Sequence, residues 1–242
     1  MKHFLLFSFI LLVVAIPARA QETEEEELQL VESKFIIPVS YIQIRQQTED
    51  PALYAGLVSQ FEAADEDLGL YNISLIYYGW VFKPGYKGNL DVEQSPAEKL
   101  MKEGNFGQAW DQGMAYLKEN PVSLVTLQHL ISAGNAMGKP AEEVRRLTWR
   151  FNKLLQMIFH TGDGYTEQSA YKVISITDEF IFMDRMIGVE SHAGRAISRT
   201  SVDRYDIVNA RNFDRRYLFI DASLATHFGP QWEPEEIPEE QQ

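Results

Sequence analysis

The chain has 242 residues, no cysteine, and a net charge of -13 from 22 basic and 35 acidic residues. Without cysteine it can form no disulfide, thiolate nucleophile or zinc–thiolate site, and no lipoprotein start that needs an acylated Cys. The acidic excess argues against a nucleic-acid face built on phosphate contacts and against docking on anionic lipid.

The first residues, Met1-Lys2-His3, are basic and lead into an apolar run from Phe4 to Ile16. Pro17 breaks the run before Ala18-Arg19-Ala20. A basic start, a short apolar core and an A-x-A ending predict a secretory signal peptide over 1–20, cleaved after Ala20. The expected product is exported, periplasmic or secreted, and soluble. The run is too short to span a bilayer, and no later segment reaches the roughly 18 apolar residues a spanning helix needs. Cleavage takes Lys2 and Arg19 with it, so the mature chain is more acidic still.

Residues 21–33 open with QETEEEE and read as an acidic, solvated spacer. From 34 to 94 the pattern is helical with loops: Leu53, Leu57, Phe61, Ala64 and Leu68 recur at helical spacing. An aromatic cluster, Tyr77, Tyr78, Trp80, Phe82 and Tyr86, surrounds Gly79 and Gly85. It reads either as core or as a ligand-facing patch with Tyr78 and Trp80 as contacts.

Residues 95–161 are strongly helical. Ser95-Pro96-Ala97-Glu98 supplies an N-cap, a proline at the first helical position and an early acid. Phe106, Ala109, Trp110, Gly113 and Leu117 make one stripe, and Val144, Leu147, Phe151, Leu154, Leu155 and Ile158 make another. Gly104 and Gly138 stand 34 residues apart, the tetratricopeptide period. Gly104-Asn105-Phe106-Gly107-Gln108-Ala109 resembles the turn of such a repeat, while Pro140 and Glu143 depart from it. The expectation is tetratricopeptide-like helical hairpins with Ala109 at a close helix approach.

After Gly162-Asp163-Gly164 the period falls to two. Strands are predicted near 170–176, 179–187, 205–210 and 217–223, forming an antiparallel sheet within 162–228. The end, 229–242, mixes three prolines with glutamates and reads as a flexible acidic tail. The fold class is therefore α+β, with an N-terminal helical region followed by a C-terminal antiparallel β-sheet.

Several of these motifs together resemble a secreted Bacteroidetes family defined only as a domain of unknown function. They are the segment IYYGWVFKPGY at 76–86, the helical stretch at 102–121, and the turn Thr161-Gly162-Asp163-Gly164. The stretch from Ala170 to Phe180, Tyr205-Asp206 with Asn209, and Tyr217-Leu218-Phe219-Ile220 complete the series. Asp178 stands where a histidine is common, which weakens a histidine-based site. The resemblance implies export and the fold, and no activity.

No catalytic signature is complete. Gly134 to Lys139 approaches a P-loop, but Ala133 and Pro140 occupy positions that need Gly and Ser or Thr. There is no H-E-x-x-H pair and no G-x-S-x-G elbow. The remaining candidates are carboxylates: Asp163 in its glycine turn, with Glu179 and Asp206. They could surround a cation such as calcium, but the acid density of a calcium loop is missing and a structural turn is the preferred reading. The sequence assigns no metal and no cofactor. It favours a non-catalytic binding or assembly module of the cell envelope, whose partner is another envelope protein or a peptide. The alternative is a carboxylate-dependent hydrolase with its site near the 162–179 turn and the sheet.

Overall fold

The computed structural model describes residues 35–87, 95–197 and 201–227. The expected signal peptide, acidic spacer and acidic tail lie outside the described residues. The chain divides into a short unit, Met1–Phe35, and a body, Ile36–Gln242, which holds every element described below.

Helices open the body: α1 (Tyr41–Thr48), α2 (Pro51–Ala63), α3 (Leu70–Gly79), α4 (Pro96–Lys102), α5 (Phe106–Glu119), α6 (Leu124–Met137) and α7 (Ala141–Phe159). Local chemistry starts them. Asp50 accepts from the Ala52 amide at 2.8 Å and Pro51 supplies the first helical φ. Ser95 caps α4 and Ser123 caps α6 in the same way. Helix α3 is the centre of the core, buried continuously from Ile73 to Gly79. Gly79 is required there, because a Cβ would lie 2.7 Å from Thr48 Cγ2 on α1.

Gly104 and Gly138 both take left-handed backbone, φ +76° and +64°, and each turns one helix into the next. Helices α4 and α5 thus form one hairpin, α6 and α7 a second, offset by the 34-residue period. They pack closely: a Cβ on Gly113 would come within 2.9 Å of Leu130, and one on Gly134 within 2.8 Å of Trp110. Arg150 on α7 is buried and donates to the Pro121 carbonyl at 3.0 Å, tying the second hairpin to its own entry turn. Ala109 has no exposed surface. Ala109→Leu should force this interface apart and cost about 1–3 kcal/mol, read as a lowered thermal midpoint; an unchanged midpoint would contradict the close packing.

The rest of the body holds β1 (Tyr171–Lys172), α8 (Ile176–Phe182), β2 (Val189–Ile197), β3 (Val202–Ala210), β4 (Tyr217–Asp221) and α9 (Ser223–His227). The sheet order is β1-β4-β3-β2. The fold is α+β, helices first and a four-stranded sheet after them.

The sheet departs from expectation in three places. The predicted strand at 170–176 shrinks to two residues, and β1 runs parallel to β4, while β4–β3 and β3–β2 are antiparallel as expected. The predicted strand at 179–187 is helix α8 running into a π-helical turn, Met183–Ile187. Ser175 caps α8 by accepting from the Asp178 amide at 3.0 Å, and Asp178 and Glu179 fill its first turn. Phe180 and Phe182 alternate in sequence, but on a helix they diverge: Phe180 is exposed and Phe182 fully buried. The third departure is β2, which replaces that strand. Past the half-buried Val189 its residues are exposed on both faces, and its register against β3 shifts three times between Val189 and Gly194. A strand with no buried face has no period-two signal to find.

Candidate functional site

The sequence-predicted acids lie in three separate networks. In the Gly162-Asp163-Gly164 turn, Asp163 Oδ1 accepts from the Tyr165 amide at 2.9 Å and from Ser169 Oγ at 2.5 Å. The Asp163 and Gly164 amides both donate to the Ser169 carbonyl. Gly164 adopts φ +71°, and its carbonyl accepts from the Phe219 amide on β4 at 2.9 Å. Asp163 thus closes a turn that holds the end of α7 against the sheet. Asp206 lies on β3 and pairs through both oxygens with Arg216, Nε and Nη2 each at 3.2 Å. That guanidinium holds the Asp206 carboxyl below its usual range. Among the described residues no three His, Cys, Asp or Glu side chains converge as a metal cage.

Tyr78 and Trp80 face the core. Tyr78 has no exposed surface and donates to the Lys172 carbonyl at 2.9 Å; Trp80 packs over Gly85. Their neighbours work alike. Tyr77 donates to Asp178 Oδ2 at 2.7 Å and accepts from the Ile174 amide, and Tyr86 donates to the Ile174 carbonyl at 2.7 Å. The aromatic cluster satisfies the backbone of Lys172 and Ile174 at the exit from β1, while the Val173 amide between them donates to the Asp221 carbonyl on β4 at 3.0 Å.

Glu179 belongs to a constellation of its own. It has no exposed surface, and Asp203 on β3 is 2% exposed. Arg195 on β2 reaches both: its Nη2 contacts Asp203 Oδ2 and lies 3.4 Å from Glu179 Oε2. Oε1 of Glu179, Oδ1 of Asp203 and the Tyr205 hydroxyl are buried without a hydrogen bond of ordinary geometry. Burial, then the Asp203 charge, push the Glu179 carboxyl up to about 8, against the opposing pull of Arg195. One arginine can balance one carboxylate, so the second keeps its proton at neutral pH. Asp203, Arg195 and Tyr205 escape the sequence reading. Asp203 and Tyr205 share a face of one strand, a signal that was present, but nothing in the sequence brings α8 to them.

A second feature lies on the helical hairpins. Facing residues of α6 and α7, with the π-helical turn, enclose an open groove of about 630 Å³. Ile131, Phe151 and Leu155 give it apolar surface, and Gln128, Asn152 and Gln156 bring three carboxamides to it. Arg185 is the one charged side chain among its lining residues.

Paired helical hairpins against a small mixed sheet, with a grooved helical surface and a buried acid pair beneath an edge strand, define an α+β fold within Ile36–Gln242. The chain belongs to the family described as Domain of unknown function (DUF4919), which it matches over residues 42–224. No curated protein and no solved structure matches it.

Proposed function

We propose that this chain is an exported, non-catalytic binding module of the bacterial cell envelope, and that the α6–α7 groove takes an extended peptide segment of another envelope protein. The observation that carries the reading is the lining of the groove. Each carboxamide of Gln128, Asn152 and Gln156 offers both donors and an acceptor, the complement of an extended peptide backbone. Ile131, Phe151 and Leu155 supply apolar surface for a side chain of that peptide. Helical hairpins hold these groups on rigid elements, which limits the ordering cost of binding. Export rests on the N-terminal sequence alone.

An array of ten-residue peptides tests the reading, probed with wild type and with an Asn152→Ala, Gln156→Ala double variant. Peptides retained by wild type should bind the variant at least tenfold more weakly, a loss of about 1.4 kcal/mol or more. Equal retention by both proteins would contradict it. Neither side chain is in the core, so the variant should fold.

The second reading is carboxylate-dependent hydrolysis at Glu179. A carboxyl that keeps its proton near neutral pH has the protonation state of a general acid, and that favours it. Against it, Glu179 and Asp203 are almost wholly buried and neither lines the groove.

A further inference from the structure

Strand β3 and the loop from it to β4 carry four arginines against three acids, in a chain of net charge -13. Arg204, Arg211, Arg215 and Arg216 all fall in this stretch, and Asp206 and Asp214 are the only acids between the first and the last of them. Two of these arginines and two tyrosines line a pocket of about 370 Å³: Tyr165, Arg215, Arg216 and Tyr217.

The arginine heads sit over aromatic rings. The Arg215 guanidinium lies 4.9 Å from the Tyr165 ring centre, and Arg216 lies 5.0 Å from that of Tyr217. Arg204 also stacks on Tyr217, at 4.8 Å. A guanidinium held over a ring has part of its side-chain entropy already lost and can still offer N–H donors to an oxyanion. The rings are themselves held. Tyr165 is fixed at its backbone by Asp163 and donates its hydroxyl to Asp214 Oδ1 at 3.2 Å, and its ring leans on Phe213 at 5.5 Å. Two segments 49 residues apart are therefore tied together across the pocket.

The charge is incompletely matched. Asp206 occupies Nε and Nη2 of Arg216 and leaves Nη1. Asp214 approaches Arg215 only to 3.7 Å, beyond hydrogen-bond range. The planar fork of Arg215 thus makes no hydrogen bond among the described residues, and three guanidiniums face two carboxylates.

We infer that this pocket is a binding site for an oxyanion carried on a flat, apolar body, that is, a phosphate or carboxylate group attached to a ring. Arg215 and the free edge of Arg216 take the oxyanion in the bidentate geometry that guanidinium offers. The carbons of Tyr165 and Tyr217 that line the pocket give the ring its apolar contact. The volume lies at the lower end of the range for small-molecule sites. None of these residues lines the α6–α7 groove, so this site and that one stand or fall independently.

The experiment is isothermal titration of the full mature chain with phenyl phosphate, benzoate and inorganic phosphate at constant ionic strength. Phenyl phosphate or benzoate should bind saturably and at least tenfold more tightly than inorganic phosphate; whichever ring compound wins identifies the oxyanion. Arg215→Ala should weaken the winning compound at least tenfold. Arg215→Lys, which keeps the charge and loses the fork, should weaken it too. Arg215 is exposed, so both variants should fold. Failure of every probe to saturate, inorganic phosphate binding as tightly as the ring compounds, or affinity unchanged in Arg215→Ala would each overturn the inference.

Discussion

Gly162→Ala should destabilise the body by about 3 kcal/mol or more, the upper end of overpacking costs, and lower the thermal midpoint by roughly 6–12 °C. A Cβ at Gly162 would overlap the Ser169 carbonyl oxygen and come within 2.5 Å of the Ala170 carbonyl oxygen. Both obstacles are backbone, so no side-chain rotation relieves them. They belong to the loop whose Ser169 carbonyl accepts from Asp163 and Gly164, so moving them undoes the turn that joins α7 to the sheet. Gly194→Ala is the matched control. Nothing lies within 4 Å of the added atom on exposed β2, and its midpoint should stay within a degree or two of wild type, as for other open surface sites. Equal midpoints for the two variants would show that the turn gives way easily.

Replacing Glu179 with glutamine should change how stability depends on pH. In the folded chain the Glu179 carboxyl is pushed up to about 8; unfolded, it titrates near the ordinary value of about 4.3. Between those values the folded state holds a proton that the unfolded state has released. Stability from this group is therefore full below the unfolded value, falls as pH rises, and levels off above about 8. The slope for one proton is up to about 1.4 kcal/mol per pH unit. Glutamine has the shape of the protonated carboxyl and carries no charge, so Arg195 and Asp203 remain a balanced pair. Glu179→Gln should lie close to wild type at pH 5 and exceed it by about 2–4 kcal/mol at pH 8. Urea melts at the two values measure this. Parallel stability curves for wild type and variant would show that Glu179 is ionised in the folded state at neutral pH.

The first effect arises within one turn of chain and the second from contacts between distant segments, and the legible and hidden parts of this protein divide along that line. The helical hairpins were readable because their instructions are local. Ser95 and Ser123 cap within three residues, Gly104 and Gly138 turn the chain with one left-handed residue each, and the apolar stripe of α7 repeats on one face. The Asp163 turn was readable for the same reason, its bonds spanning no more than six residues. The stretch at 179–187 misled because two phenylalanines at i and i+2 satisfy the period of a strand, and the Ser175 cap that decides for helix lies four residues upstream of Glu179.

By itself, then, the sequence determined the α+β class, the paired hairpins and the glycine turn, because each follows from backbone chemistry over one or two turns of chain. Tertiary structure alone decided three things: that β2 pairs at the edge, that Tyr78 and Trp80 face inward, and that Glu179 meets Asp203 rather than Asp163 or Asp206. Strand pairing and the burial of a charge depend on which surfaces the completed core brings together. Glu179 keeps its proton only where α8, β2 and β3 close over it and exclude the water that would otherwise keep it ionised.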